Sequence, residues 1–427
     1  MDTSPIIVAA DIGNSKLTLI AAQKNNDGQL RILNMENSAT PPNAVRNGII
    51  TNASTVSFKL SELIKKLENR INMKIMQFYV CYNGHSLRTV NVPVGRNLNH
   101  TEVTPELLED MRLELLNAPT AERLILDVFP QEYLLDDKPV LSPVGISGNL
   151  IVGNYAVAMS IPALKENLDK NIFRGICDAI PCMGPLMVAQ ATLSEEERQM
   201  GCAVIDFGAG CTSVTIYKGG VMRHFAVIPF GGQHITRDIM ALNVSETVAE
   251  QLKIQNGSAV AALLNEQLKD TPLPITNTAE QVASYADLAR VIEARQSEIV
   301  QYVLEQIEQS GLADRLDAGI LLTGGASRLL HLNRLVEDMS GMRVQYASHA
   351  GRLTPDSGAE YLKPSYALIV GLLCAADQHC CQELPKPPGT PIRHDTPPPQ
   401  KDRKKILNRL KRVEQGFTNL FSEESQM

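Results

Sequence analysis

Short apolar runs, each followed at once by polar residues and glycine, recur along the chain. Residues 6–10 run into Asp11, residues 203–205 run into Asp206, and residues 318–322 run into a Thr-Gly-Gly turn. After the first two runs, a tight glycine turn leads to a second β-rich run. This pattern predicts two β-hairpins with polar tips and, further along, a strand that turns through glycines into a helix beginning at Ser327.

Helical periodicity dominates two other stretches. Residues 104–116 predict a helix, and the strand-like runs on either side of it indicate a compact α+β unit. Between residues 285 and 311 apolar side chains recur at three- and four-residue steps. One long helix is therefore predicted, with its apolar stripe buried and with Arg295 and Glu298 free at its surface.

The hairpin tips carry the residue types that bind phosphate. Glycine lets backbone N–H groups turn toward an anion, and hydroxyl and ammonium groups add donors around phosphate oxygens. Asp11 and Asp206 supply oxygen ligands for Mg²⁺, directly or through water, because this ion keeps much of its hydration shell. Gly324, Gly325 and Ser327 would let the backbone approach a flat base or ribose. The residues predicted to cradle phosphate are Gly13, Asn14, Ser15, Lys16, Gly208, Gly210 and Thr212.

The order of these segments distinguishes them from ordinary turns. A single Asp-x-Gly turn is a plain β-turn roughly ten times as often as it is a phosphate site. Here two strand-Asp-Gly-strand units precede a strand-Gly-Gly segment. These three segments resemble, in the same order, the phosphate 1, phosphate 2 and adenosine motifs of the actin, Hsp70 and sugar-kinase superfamily. Within that superfamily the chain is similar to the FtsA family of bacterial cell-division proteins. The further stretches that carry this similarity are residues 129–133, 142–148, 227–236, 250–253 and 289–295.

The resemblance implies an α/β, actin-like fold of two ribonuclease H-like ATPase lobes. An inserted α+β subdomain of the FtsA type (1C, SHS2-like) would replace the 1B subdomain of actin. ATP with Mg²⁺ is the implied ligand, and the resemblance places Glu250 and Lys253 at the ribose. The implied boundaries are residues 5–85, 164–200 and 350–376 for lobe one (1A), 86–163 for the insertion, 201–235 and 305–349 for lobe two (2A), and 236–304 for its outer subdomain (2B).

Composition narrows the function classes further. The chain has 427 residues, of which 44% are hydrophobic, and this length is enough for two or three domains. There is no N-terminal signal pattern and no run of eighteen apolar residues, so neither secretion nor a membrane-spanning helix is predicted. The eight cysteines lack disulfide-framework or zinc spacing, which indicates reduced thiols in a cytoplasmic protein. We interpret His379-Cys380-Cys381 as the ragged end of a helix rather than as a metal site.

Charge is distributed unevenly along the chain. Residues 401–427 hold seven basic and four acidic residues, a net charge of +3, so the remainder carries −10 of the total of −7. An acidic body argues against nucleic acid as a partner, and the basic segment points to a local anionic partner. Before that segment, the proline-rich residues 382–400 predict a disordered or extended linker.

Residues 401–427 predict a basic amphipathic helix that has no adjoining core to cover its apolar stripe. An anionic membrane surface would take up that stripe and attract the basic residues, while docking on the body or on a protein partner is the alternative. In the FtsA family the C-terminal helix is the membrane anchor, and the resemblance implies the same role here. The apolar positions are Ile406, Leu407, Leu410, Val413, Phe417, Leu420 and Phe421, with Arg409, Lys411 and Arg412 on the flanks.

Two departures from the family pattern bear on catalysis. The second glycine segment carries Ala209, Cys211 and Ser213 where the family usually carries glycine, threonine and aspartate. Gly184 stands where relatives tend to carry a carboxylate that helps to orient the attacking water. Without a positioned base, phosphoryl transfer to water loses a contribution of roughly 100-fold or more. We therefore predict ATP binding with slow or negligible hydrolysis.

The resemblance also implies partners and location. The chain would anchor FtsZ filaments to the cytoplasmic side of the inner membrane, as a peripheral protein of the division septum, and would associate with itself through the inserted subdomain. Arg295 and Glu298 lie where the C-terminal tail of FtsZ is expected to bind, although a solvated helix face is the plainer interpretation of a charge pair. Two alternatives stay open: a sugar or metabolite kinase, which would need a substrate-side Asp as general base, and a pilus-assembly relative of the PilM type.

Overall fold

The computed structural model describes residues 4–169, 177–273 and 283–384. Within these residues the chain forms eighteen strands and eleven α-helices. The strands are β1 Ile6–Ile12, β2 Lys16–Lys24, β3 Leu30–Ala39, β4 Val45–Arg46, β5 Ile49–Ile50, β6 Met73–Ile75, β7 Gln77–Tyr82, β8 Arg88–Asn97, β9 Leu124–Leu135, β10 Lys138–Val140, β11 Leu150–Ser160, β12 Asp178–Met183, β13 Cys202–Phe207, β14 Thr212–Lys218, β15 Val221–Ile228, β16 Gly319–Thr323, β17 Val344–Tyr346 and β18 Cys381–Glu383. The α-helices are α1 Ala53–Ile71, α2 Pro105–Leu116, α3 Pro162–Asp169, α4 Gly184–Thr192, α5 Glu195–Met200, α6 Gly232–Ile239, α7 Glu246–Asn256, α8 Glu266–Lys269, α9 Tyr285–Gln309, α10 Leu332–Ser340 and α11 Ala367–Ala375.

Two five-stranded units share one strand order. The first unit has the order β3-β2-β1-β7-β12, and the second has β15-β14-β13-β16-β17. In each unit the first three strands are antiparallel neighbours, and the last two strands run parallel to the central strand. The two predicted hairpins are the β1–β2 and β13–β14 pairs, which confirms them. Most residues of the central strands β1 and β13 are buried, as expected of strands in the middle of a sheet.

Helices cover these sheets and fix the strand ends. α11 is apolar along its whole length and packs on α4 and β1, while α1 packs on β2 and β3. In the second unit α9 packs against β14 and β15 and buries its apolar stripe. Its start is set by a capping box, in which the side chains of Ser284 and Asp287 satisfy each other's backbone N–H groups. The predicted long helix is thereby confirmed.

A separate α+β unit is inserted between β7 and β12. Its sheet has the antiparallel order β10-β9-β11-β8, and α2 packs on β9 and β11. The Thr104 side chain caps α2 by accepting a hydrogen bond from the N–H of Leu107. The unit has a hydrophobic core of its own, and the predicted succession of strand, helix and strands is confirmed. β8 also pairs with β15 through Arg88 and Ala226, so its sheet continues into the second five-stranded unit.

The helix predicted to begin at Ser327 is wrong in position. Residues Gly325–Arg328 form a short 3₁₀ turn, and the α-helix begins at Leu332. His331, directly before that helix, has a left-handed backbone with φ of 62°, which interrupts right-handed helical geometry.

The interpretation of His379-Cys380-Cys381 as a helix end is also wrong. α11 ends at Ala375, and residues Cys381–Glu383 form β18, which pairs with β6. The N–H of Cys380 donates to the carbonyl oxygen of Ile6 at 2.7 Å, and the N–H of Ile6 donates to Nδ1 of His379 at 2.9 Å. This segment is therefore held against β1.

Gln382 and Glu383, the first residues of the predicted linker, thus belong to a strand. The rest of the predicted linker and the amphipathic helix at residues 401–427 lie outside the described residues, apart from Leu384. In the part of the chain that the structure describes, no helix is both long and apolar enough to cross a membrane. The subdomain boundaries stay a prediction.

Candidate functional site

The tips of the two hairpins face each other. Asp11 is the last residue but one of β1, and Asp206 has the same place in β13. A side chain at Gly210, in the second tip, would collide with the carboxamide of Asn14 in the first. The glycine at 210 is what allows this close approach between the two five-stranded units.

The two aspartates form an electrostatically costly pair. Burial raises the pKa of Asp11 to about 6, against the opposing charge of Lys16. Burial and then the charge of Asp11 raise the pKa of Asp206 to about 7. A divalent cation between the hairpin tips would favour the ionised form of both carboxylates. The chemistry of this donor set therefore fits Mg²⁺.

The metal would need further ligands. Among the described residues, no group of three or more His, Cys, Asp or Glu side chains could hold a metal. Mg²⁺ is commonly held by one or two carboxylates together with the phosphates of a substrate. The two aspartates accordingly fit an ion that is bound together with a nucleotide.

The Gly-Gly turn after β16 closes a third side of the site. Gly324 has φ of 92°, and a Cβ at this position would lie 2.5 Å from the carbonyl oxygen of Phe207 and would collide with the Asp206 carboxylate. Only glycine fits there without strain. The hydroxyl of Ser327, which is wholly buried, donates to the carbonyl of Gly324 at 2.8 Å, while Gly325 is exposed. The Ser327 side chain thus stabilises the turn, and Gly325 is the residue of the turn that is accessible to a ligand.

α7 brings the predicted ribose-binding pair to the second hairpin. Lys253 Nζ lies 2.7 Å from a carboxylate oxygen of Glu250 and donates to Thr236 Oγ1 at 2.8 Å. It also donates to the carbonyl of Gly232 at 2.9 Å, and the N–H of Gly232 donates to the carbonyl of Gly208 at 3.0 Å. Burial lowers the pKa of Lys253, and Glu250 opposes this shift. The structure therefore brings these two residues to the phosphate-binding hairpin predicted from sequence.

Two of the predicted phosphate-binding side chains are paired within the protein. Thr212 is fully buried, and its hydroxyl donates to the carbonyl of Phe230 at 2.9 Å. The Asn14 carboxamide accepts a hydrogen bond from the N–H of Gly48 at 2.8 Å and lies 3.5 Å from the side-chain oxygen of Gln233. These side chains hold the tips in place, because their polar atoms already have protein partners.

Backbone hydrogen bonds within the protein also fix the conformation of the two hairpin tips. The N–H of Gly13 donates to the carbonyl of Lys16 at 3.0 Å, and the N–H of Gly208 donates to the carbonyl of Cys211 at 2.9 Å. These two groups close the hairpins. Ser15 is exposed at the first tip, so its hydroxyl is accessible to a ligand.

Tyr366 is a site residue that sequence reasoning missed. Lys16 Nζ lies 3.7 Å from the centroid of the Tyr366 ring, a cation–π contact. Burial lowers the pKa of Lys16, and Asp11 opposes this shift. Tyr366 ends the short turn Pro364–Tyr366, which is distant in sequence and contains no motif that would have indicated the contact.

The expectation that Arg295 and Glu298 are free is wrong. Arg295 forms a bidentate pair with Asp238, with N···O distances of 2.5 and 3.2 Å, and also contacts Glu298. Its side chain is only 26% exposed. The ion pair of Arg295 with Asp238 joins α9 to α6, and Glu298 lies one turn further along α9.

A cavity of about 510 Å³ lies beside the Gly325–Arg328 turn. Neither aspartate borders it, so we do not assign the nucleotide to this cavity. Its lining residues are Ser327, Arg328, Leu329, Leu330, His331, Asn333, Tyr346 and Pro364.

Two matching sheet units whose glycine-tipped hairpins face each other across paired aspartates define an actin-like protein. The solved structure of the PilM-PilN type IV pilus biogenesis complex contains a chain of the same fold, with a TM-score of 0.61. The match covers 86% of this chain and 97% of that chain at 18% sequence identity. It confirms the predicted fold class.

Sequence comparison identifies the family. Residues 203–371 match the model of the cell division protein FtsA, and residues 84–158 match the model of the SHS2 domain inserted in FtsA. The cell division protein FtsA of Borreliella burgdorferi is 30% identical over 380 residues, covering 86% of this chain and 90% of that protein. The FtsA of Pseudomonas aeruginosa is 28% identical over 352 residues, covering 81% of this chain and 83% of that protein. The chain belongs to the FtsA family of cell division proteins, as the sequence motifs predicted.

Proposed function

We propose that this chain binds Mg-ATP between its two hairpin tips. The observation that carries the proposal is the pair of partly buried carboxylates, Asp11 and Asp206, at facing glycine-tipped hairpins. The aspartates would hold Mg²⁺ through water, and Lys16 and Ser15 would contact phosphate together with the backbone of both tips. Gly324 and Gly325 would face the adenosine, and Glu250 and Lys253 the ribose. Asn14, Thr212 and Ser327 would support the backbone that makes these contacts.

Calorimetric titration with ATP tests this site. The wild type should bind ATP in the presence of Mg²⁺, and Asp206→Asn should weaken binding by about 10- to 100-fold, the usual range for disturbing a metal site. Asp27→Asn removes a carboxylate from an exposed turn and serves as the matched control, with unchanged affinity expected. Equal affinity of wild type and Asp206→Asn, or binding that does not depend on Mg²⁺, would contradict the site.

We further propose that the protein anchors FtsZ filaments to the cytoplasmic side of the inner membrane at the division septum, and that it associates with itself through the inserted subdomain. Two observations support this: membership of the FtsA family and the basic amphipathic sequence of residues 401–427. Seven basic residues would each contribute about 1 kcal/mol near an anionic surface, in addition to burial of the apolar stripe. The protein would thus be a peripheral membrane protein.

Flotation with anionic liposomes tests the anchor. Phe417→Asp combined with Phe421→Asp places charges on the apolar stripe and should abolish flotation of the intact chain. Asn408→Asp combined with Asn419→Asp adds the same charge at polar positions, so this control variant should keep most of the flotation seen with the wild type. If the two double variants float equally, the stripe does not insert into the membrane.

We propose that the C-terminal tail of FtsZ binds beside Arg295 and Glu298 on α9. Because Arg295 is paired with Asp238, a single charge reversal would confuse loss of binding with loss of structure. The swap of Arg295→Asp with Asp238→Arg preserves the pair and exchanges its ends. FtsZ binding should fall in the swapped variant while its unfolding temperature stays near that of the wild type; unchanged binding would remove this site.

A further inference from the structure

A polar residue outside the predicted motifs lies at the same sheet edge as the first aspartate. Asn83 directly follows β7, which runs parallel to both β1 and β12. The carboxyl ends of these three strands are therefore adjacent. They present Asp11, Asn83 and Gly184 at one edge of the first unit.

The direction of the Asn83 side chain follows from its neighbour in the strand. Side chains two residues apart in an extended chain lie on one face, so Asn83 shares its face with Cys81. In the parallel pairing of β1 and β7, Ala10 lies opposite Val80, so Asp11, the next residue, comes opposite Cys81 on the same face of the sheet. Asn83 therefore follows β7 on the face that carries Asp11.

The side-chain oxygen of Asn83 is buried and accepts no hydrogen bond from the described residues. A buried polar atom without a partner is unfavourable and is usually explained by a bound water, ion or ligand. Gly184 is packed tightly against this amide, because a Cβ at position 184 would lie 2.8 Å from both Cγ and Oδ1 of Asn83. The amide thus occupies the space that a side chain at position 184 would need.

We propose that the side-chain oxygen of Asn83 holds the water that attacks the terminal phosphate of ATP, a proposal that rests on the nucleotide site proposed above. As the water oxygen bonds to the γ-phosphorus, the bond from that phosphorus to the bridging oxygen breaks and ADP leaves with the electron pair. The water proton passes to a phosphate oxygen, since an amide oxygen orients the water without acting as a strong base. Slow turnover is the expected consequence.

Two isosteric substitutions test this role. Asn83→Leu removes the oxygen, so it should lower phosphate release at saturating Mg-ATP by at least about 10-fold while the Kd for Mg-ATP stays within about 2-fold. It should also raise the unfolding temperature of the nucleotide-free protein, because an unsatisfied buried group is removed. Gln296→Met is the matched control: Gln296 on α9 also carries a buried side-chain atom without a partner among the described residues. It should raise the unfolding temperature and leave turnover unchanged.

Asn83→Asp converts the same oxygen into a group that can accept the proton. Turnover should rise above that of the wild type and should increase with pH as the new carboxylate ionises, even if turnover of the wild type is below detection. If ATP still binds but neither variant changes turnover or its pH profile, Asn83 does not hold the water. If the wild type does not bind ATP at all, the proposed nucleotide site fails and this role fails with it.

Discussion

Replacing Asp206 with asparagine is expected to stabilise the nucleotide-free protein while it weakens Mg-ATP binding. The carboxylate is held between Asp11, the Gly324 turn and the protein interior, and its pKa rises from 3.8 to about 7. Asparagine keeps the shape of the side chain and carries no charge. The substitution therefore removes the free-energy cost of ionising a buried carboxylate in the nucleotide-free protein. It also removes an oxygen ligand that the bound metal needs.

The size of the gain follows from linkage. One pKa unit corresponds to about 1.4 kcal/mol, so a rise of about three units sets an upper limit of about 4 kcal/mol for the cost of ionised Asp206. Because the folded-state pKa is raised, Asp206 costs the wild type no stability below pH 3.8, where both the folded and the unfolded states bind the proton. The wild type then loses stability as the pH rises from 3.8 to about 7. The advantage of Asp206→Asn over the wild type should consequently be largest, up to about 4 kcal/mol, at pH 8. At pH 5, where the folded protein already binds the proton, it should be below about 2 kcal/mol.

Urea unfolding of both proteins at pH 8 and pH 5, without nucleotide, measures this difference. Asp27→Asn, at an exposed turn, controls for removal of a carboxylate as such and should shift stability by less than about 0.5 kcal/mol. Adding Mg-ATP should stabilise the wild type at pH 8 more than the variant. A variant that is less stable than the wild type at pH 8, or an advantage that does not shrink on acidification, would refute the reasoning.

Two further sets of substitutions probe the site and the outer helices. Gly324→Ala should abolish measurable ATP binding and destabilise the fold by more than about 3 kcal/mol, because a Cβ there collides with Asp206. Gly341→Ala is the control, because Gly341 also has a positive φ (66°) but has open space around it, and it should cost only about 1–2 kcal/mol. If Gly324→Ala and Gly341→Ala lower the unfolding temperature equally, crowding at Gly324 is unimportant. Arg295→Ala and Asp238→Asn should each lower the free energy of unfolding in urea by about 1–2 kcal/mol. The double variant should lower it by little more than either single variant, because each of the three variants removes the same ion pair. Full additivity would contradict that shared interaction.

Local pattern was sufficient to predict the parts of the fold that depend on local chemistry. The two hairpins follow from apolar runs that end in Asp-x-Gly, and α9 follows from a stripe at helical spacing between Ser284 and Gln309. The helix after β16 was placed too early because the left-handed backbone at His331 gives no clear sequence signal. A glycine before α10 would have indicated a left-handed turn, whereas histidine adopts that conformation only occasionally and so gives no such signal.

Contacts between distant segments were not predictable in the same way. Tyr366 over Lys16 and Asp238 beside Arg295 depend on how α-helices and turns pack, which one sequence does not reveal. Residue type alone also assigned the Thr212 hydroxyl to phosphate, whereas the structure pairs it with Phe230. The candidate site was therefore predicted at the level of its backbone segments, while the partners of individual side chains required the structure.

Co-flotation of FtsZ with anionic liposomes, Mg-ATP and this protein tests the proposed function most directly. The intact chain is compared with a chain that lacks residues 401–427. The proposal predicts that FtsZ floats only with the intact chain and stays at the bottom of the gradient with the truncated one. If the intact protein floats and FtsZ stays behind, the protein is not an FtsZ tether, and a pilus-assembly role of the PilM type becomes the better hypothesis. If the intact protein does not float, the membrane anchor itself is contradicted.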